Sequence, residues 1–161
     1  MGTPYEVVFS KFVKNISDLD FISLDPDDLV ETCTGYLDTA CAEFMNCYQN
    51  LDDRDDNAQE FNINLLSIEA EILACIMTLN WLQPQIYKYQ LIQVSLTDGD
   101  FRTHSPANQL KQLMDLHTKT EERYNRLMTQ YSYKYAPTEV QNALGGYSDP
   151  SVISKFFRGG N

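Results

Sequence analysis

The stretch Asp52-Asp53-Arg54-Asp55-Asp56 brings carboxylates close enough together to hold a cation, the first requirement of a calcium loop. Counting an EF-hand loop from Asp53 puts Asp55 and Asn57 at the next two ligand positions. The same count puts Ala58 where the tight turn needs Gly, and Asn64 where a bidentate Glu closes the site. The stretch therefore reads as a solvated loop in which Arg54 pairs locally. A di-iron site in a helical bundle needs Glu-x-x-His on two helices, and neither His104 nor His117 has Glu three residues before it. His104 falls in a turn signal, and His117 on an apolar helix face that suits a core or interface side chain. Cys33, Cys41, Cys47 and Cys75 form no CxxC pair and have no His at zinc-like spacing. Of these, Cys33, Cys41 and Cys75 occupy apolar helical positions, where a free thiol behaves as a small hydrophobe. There is no Gly-rich phosphate loop and no GxSxG. Tyr131-Ser132-Tyr133-Lys134-Tyr135 has the rings to stack on bases, but with so much negative charge in the chain it reads as helix-end packing or a protein interface. No catalytic, metal-binding or cofactor-binding residue is assigned, and the chain is expected not to be an enzyme.

At 161 residues the chain is long enough to bury a real core in one domain. Its net charge of −11 is unevenly spread. Residues 1–60 carry 14 acids against Lys11, Lys14 and Arg54, while the remainder is nearly balanced. That excludes the first third from gripping nucleic acid, because phosphate contacts need clustered Lys and Arg. Such charge serves as a solvated face that keeps a protein soluble, or as a surface that repels polyanions. The N-terminus, MGTPYEVVFSKF, lacks a basic region followed by an apolar one. Position six is Glu6, which disfavours myristoylation of Gly2. Synthesis in a reducing cytosol is expected.

The element that should position everything else is Ser67 to about Val94. Ile68, Ile72, Leu73, Cys75, Ile76, Met77, Leu79, Trp81, Leu82 and Ile86 cover nearly every direction around a helix, which predicts a buried helix. Glu69, Glu71, Asn80, Gln83 and Gln85 interrupt the run, so a membrane crossing is not expected. Ser67 is the expected N-cap, with Glu69 and Glu71 in the first turn. Pro84 should kink or end the helix. Before it, Tyr5, Val8, Phe9, Phe12 and Ile16 predict a short amphipathic helix over about 5–15, followed by a linker at Ser17–Asp20. Asp25-Pro26-Asp27-Asp28 is a helix start. Leu29, Cys33, Leu37, Ala40, Cys41, Phe44 and Tyr48 then mark one face as far as about Asn50, with Gly35 available for close packing. Leu51 to Asn64 reads as a polar connection. Thr97-Asp98-Gly99-Asp100 is a turn, and Ser105-Pro106 starts a long amphipathic helix to about Tyr133. Its apolar face carries Leu110, Leu113, Met114, His117, Tyr124, Leu127, Met128 and Tyr131.

Composition changes at Ala136-Pro137, and residues 136–161 read as a tail outside the core. Within it, Asp149-Pro150 can start a turn of helix that clusters Val152, Ile153, Phe156 and Phe157 on one side. An apolar patch of this kind either folds back or docks on another chain.

Taken together, LDDRDDNAQEFNINLLSIEAEILACIMTLNWLQPQI and FRTHSPANQLKQLMDLHTKTEERYNRLMTQYSY resemble a family of small tailed-bacteriophage proteins, the head-tail connector (adaptor, or head-completion) proteins. The resemblance is carried by the acidic loop before Phe61-Asn62, the Glu69 to Trp81-Leu82-x-Pro84 helix, the Ser105-x-Ala107-Asn108-x-Leu110-Lys111 helix start, and Tyr131-Ser132-Tyr133. It covers about residues 5–135. These are packing patterns rather than catalytic motifs, and the long tail departs from the family's pattern.

The resulting expectation is an all-α bundle of about four main helices, with a helical connector domain at 1–135 and an extended C-terminal tail at 136–161. The resemblance implies a ring, commonly of twelve copies, that sits below the portal in the virion neck, extends the DNA channel and presents a platform for other neck and tail proteins. It further implies that the tail reaches the portal, with Val152, Ile153, Phe156 and Phe157 as the docking residues. The genome would pass through without specific binding, repelled by acids if these line the lumen. Manufacture would be in the bacterial host cytoplasm, with no membrane partner. The alternative is a small helical phage or bacterial regulator that binds a host protein.

Overall fold

The computed structural model describes residues 2–16, 24–97 and 105–135. The fold is all-α, with four helices and a minor sheet of two-residue strands. In chain order these are β1 (Thr3–Pro4), α1 (Glu6–Ile16), α2 (Pro26–Glu43), β2 (Arg54–Asp55), β3 (Glu60–Phe61), α3 (Ser67–Thr97) and α4 (Ser105–Tyr135). The chain divides into two compact units, Met1–Met128 and Thr129–Asn161. Of the second, the described part is the end of α4.

Helix α3 is the core of the first unit, as its all-round apolarity predicts. Ile72, Leu73, Cys75, Met77 and Leu82 are fully buried, and Ile76, Trp81 and Ile86 nearly so. Each large apolar side chain so buried contributes roughly 1.5–3 kcal/mol. Helices α1 and α2 both pack on it. Helix α1 presents Val8, Phe9, Phe12 and Ile16, and α2 presents Cys33, Leu37 and Ala40. Phe12 meets Tyr36 of α2 with ring centroids 5.7 Å apart. The start of α2 is as the sequence predicts: Pro26 is in the first turn, and the Asp25 carboxylate accepts from the Asp27 N–H.

The sheet sits where a polar connection was expected. Strand β3 lies between β1 and β2, antiparallel to both, pairing Thr3 and Arg54 across Phe61. Phe61 is buried edge-on against Tyr5, centroids 4.9 Å apart, so this hairpin closes one end of the core. A side chain at Gly2 would collide with the Phe61 carbonyl, which makes glycine the residue that lets β1 approach.

Several local expectations are corrected. Helix α2 stops at Glu43 rather than near Asn50. Phe44, at φ −80° and ψ 56°, makes the last helical bond to Ala40 and turns its ring into the core. The weak helix formers Asn46 and Asn50 then follow in a loop. Helix α3 does not end at Pro84 but runs on to Thr97. Pro84 is exposed, and its missing N–H removes one helical bond without stopping the helix. Ser67 is the first helical residue of α3, not its cap. The Glu69 carboxylate reaches back to the Leu66 N–H at 2.8 Å, half of a capping box. Gly35 has no atom within 4 Å of the position a side chain would take, so it serves no close helix packing. The tail at 136–161, with Val152, Ile153, Phe156 and Phe157, lies outside the described residues, as do His104 and the Ser17–Asp20 linker.

Candidate functional site

Three polar clusters knit the first unit together, each built around a carboxylate. The first centres on Glu69, which is fully buried at the start of α3. Its carboxylate accepts from the Leu66 N–H, from Gln49 Nε2 at 2.5 Å and from Cys47 Sγ at 3.6 Å. Gln49 also donates to the Asn64 carbonyl at 3.1 Å. A charge without water is stabilised by a full set of donors and the helix N-terminus, and the loop after α2 supplies those donors. One signal for this was present: a helix apolar on every side leaves no exposed direction for a first-turn glutamate.

The second cluster is Glu71, two residues further on and half-buried. Lys11 of α1 reaches its Oε1 at 2.5 Å, and Arg123 of α4 reaches its Oε2 at 2.5 Å. Arg123 also donates to Asn15 Oδ1 at 3.3 Å, and Asn15 donates to Thr78 of α3 at 3.3 Å. Three helices are thus joined at one carboxylate.

The third cluster joins the hairpin to α2. Arg54 donates toward Asp38 at 3.0 Å and Asp56 at 3.6 Å, and the Tyr5 hydroxyl donates to Asp56 at 2.7 Å. The expected local pairing of Arg54 is there with Asp56, and the contact to Asp38 adds a tie to α2. Burial, then the hydrogen bond to Asp56, raises the Tyr5 phenol well above its ordinary value. Burial pushes Cys33 up to about 11, and Cys41 up to about 11 although Arg54 pulls the latter back; Cys75 is also raised by burial. Thiols held protonated are poor nucleophiles and poor metal ligands.

Three acids of the Asp52–Asp56 stretch, Asp53, Asp55 and Asp56, are engaged within the chain. Asp53 accepts from Asn62 Nδ2 at 2.8 Å, and Asp55 Oδ1 accepts from the N–H groups of Asn57 and Ala58 at 2.9 and 3.1 Å. Among the described residues no group of three or more metal-ligating side chains comes together. His117 is half-buried, 3.9 Å from Glu121 on the next turn.

What stands unused is surface. Beyond Pro84, α3 leaves the core on one side and exposes Tyr87 (55%), Leu91 (71%) and Val94 (72%). Their spacing of four and three puts them on one helix face. Gln83 donates to the Tyr87 hydroxyl at 2.8 Å, which holds the ring on that face. The apolar stripe of α4 is also only partly covered. Leu110, Leu113, Leu116, His117, Tyr124, Leu127 and Met128 are half-buried, Met114 is 49% exposed, and full burial is reached at Thr120 and Tyr131. An open groove of about 660 Å³ lies between α2 and the β2–β3 hairpin, lined by Asp27, Glu31, Gly35 and Asp38 of α2 and by Asp56 and Gln59 of the hairpin. No helix among the described residues is long and apolar enough to cross a membrane. Comparison with protein-family models, with curated proteins and with solved structures returns no match.

Proposed function

We propose that the chain is a structural component of a tailed-bacteriophage particle, a head-tail connector that assembles as a ring below the portal. The observation that carries this reading is the uncovered apolar face of α3, Tyr87, Leu91 and Val94, on the same helix that forms the core. A contiguous apolar helix face left in water marks a protein-protein contact, and a ring subunit needs such faces for its neighbours. The sequence resemblance over about residues 5–135 supplies the identity of the assembly, and the all-α fold is of the kind that resemblance implies. The polar clusters at Glu69, Glu71 and Arg54 act as ties between elements, a scaffold's use of charge. In the assembled ring, commonly of twelve copies, the tail at 136–161 would reach the portal, and the platform below would receive other neck and tail proteins. Genomic DNA would slide past carboxylates that repel phosphate. The protein would be made in the host cytoplasm and reside in the virion neck.

The test is native mass of the full chain, alone and mixed with the portal protein of the same genome. About twelve chains on each portal ring, lost on removing residues 136–161, is the expected result. A species that ignores the portal would overturn it.

A further inference from the structure

The two unused surfaces of the first unit are complementary to each other. Helix α2 carries Asp27, Asp28, Glu31, Asp38 and Glu43 and no basic residue, and all of these are exposed. Its face away from the core is formed by Glu31, Gly35 and Asp38, and no atom lies within 4 Å of where a Gly35 side chain would be. Beyond Pro84, α3 carries one charged residue, Lys88, which is exposed beside Tyr87, Leu91 and Val94. One surface is therefore an acidic groove with a bare floor, and the other an apolar ridge with a cation at its edge. Placing α2 against α2 opposes like charges. Placing ridge against ridge leaves the groove empty and brings Lys88 no carboxylate. Placing the ridge of one copy on the groove of another pairs opposite charges and fills the groove, and repeated head-to-tail from copy to copy such a contact generates a closed ring or a filament.

We infer that the Tyr87–Leu91–Val94 ridge of one copy docks along the outer face of α2 of a second copy, an apolar side chain of the ridge over Gly35 and Lys88 against Asp27 and Glu31. This names the subunit contact of the proposed ring and rests on that reading. It also moves the carboxylates of α2 from any lumen into a subunit interface.

The experiment uses full-length chains with the portal present, and reads assembly by native mass and contact by disulfide capture. Gly35→Cys and Leu91→Cys chains are prepared separately, mixed and mildly oxidised, with the unsubstituted chain as control for the natural cysteines. A cross-linked pair that forms only in the mixture is expected. In parallel, Lys88→Glu and Glu31→Lys should each lose assembly, and the double substitution in one chain should restore it, all three keeping the helical signal. A full ring on the portal with no 35–91 link and no effect of either charge change would overturn this contact while leaving the ring reading standing. A Leu91→Cys chain that links to itself would overturn it in favour of a two-fold contact. No higher-mass species on the portal from the unsubstituted chain would overturn the ring reading, and this inference with it.

Discussion

Arg123 of α4 donates from Nη2 to Glu71 Oε2 of α3 at 2.5 Å and from Nη1 to Asn15 Oδ1 of α1 at 3.3 Å. One guanidinium thus fixes where α4 lies against two other helices of the first unit. That matters because the apolar stripe of α4 is only half-covered, so packing alone locates it weakly. The Arg123 and Glu71 side chains are 39% and 27% exposed, which limits the gain from the ion pair to about 1 kcal/mol. Arg123→Ala should lower the unfolding free energy obtained from urea titration by about that amount. A cycle combining Arg123→Gln with Glu71→Gln should show coupling of about 0.5–1 kcal/mol. Additive effects would mean that the pair contributes no coupling energy.

How far the sequence reveals this fold depends on whether a residue's partner is near or far along the chain. Helix α3 is legible because apolar residues on all sides of a helix have no stable place except a core. Asp25-Pro26 is legible because capping is local. The end of α2 is not, because it depends on Phe44 finding the core and Gln49 finding Glu69, contacts that no local pattern encodes. Pro84 misleads as a stop for a related reason: its local penalty is real, but Ile86 beyond it is still buried in the core, and the helix continues to Thr97. The β1–β3–β2 sheet is hidden by strands of two residues, too short for alternation to register. Of the surface features, the ridge at Tyr87, Leu91 and Val94 is in the sequence as residues, but only burial shows that this side of an apolar helix is the one left open.

Glu69 should be among the most sensitive polar positions. Glu69→Ala leaves the Leu66 N–H and the Gln49 amide without their acceptor in a buried place, a loss of about 1–3 kcal/mol for each unsatisfied group. Glu69→Gln keeps one acceptor oxygen and should cost less. Denaturant unfolding of the two variants should rank them in that order. Equal losses would mean that the charge, and not the hydrogen-bond geometry, holds the loop after α2.

Stability should fall on the alkaline side. Burial raises Cys33 and Cys41 from 9.0 to about 11, so over that interval the folded thiols keep protons that unfolded thiols release. The folded state then binds more protons than the unfolded state, and stability present below pH 9 is lost as pH rises toward 11. Tyr5, raised from 10.0 by burial and by Asp56, extends the loss above pH 10. Each group contributes a slope of up to about 1.4 kcal/mol per pH unit. Cys33→Ala should make the fall of midpoint between pH 9 and 11 shallower, whatever it does to stability at pH 7. An unchanged slope would assign the alkaline loss to other groups.

The tail's part in the proposed connector can be separated from that of the ring. Val152, Ile153, Phe156 and Phe157 are the densest apolar cluster of the tail, which also holds Val140, Leu144, two Gly pairs and Pro150. If they dock on the portal, Phe156→Asp with Phe157→Asp should abolish portal binding, because two charges would then have to be buried in an apolar contact. The far-ultraviolet helical signal should stay intact, since the core helices lie before residue 136. The ridge variant Lys88→Glu should behave differently: it should still reach the portal through its tail but fail to gather neighbours, leaving single chains bound where the unsubstituted protein gives a ring. Portal binding unchanged by both Phe substitutions would remove the tail from the docking role and place the portal contact on the helical unit itself.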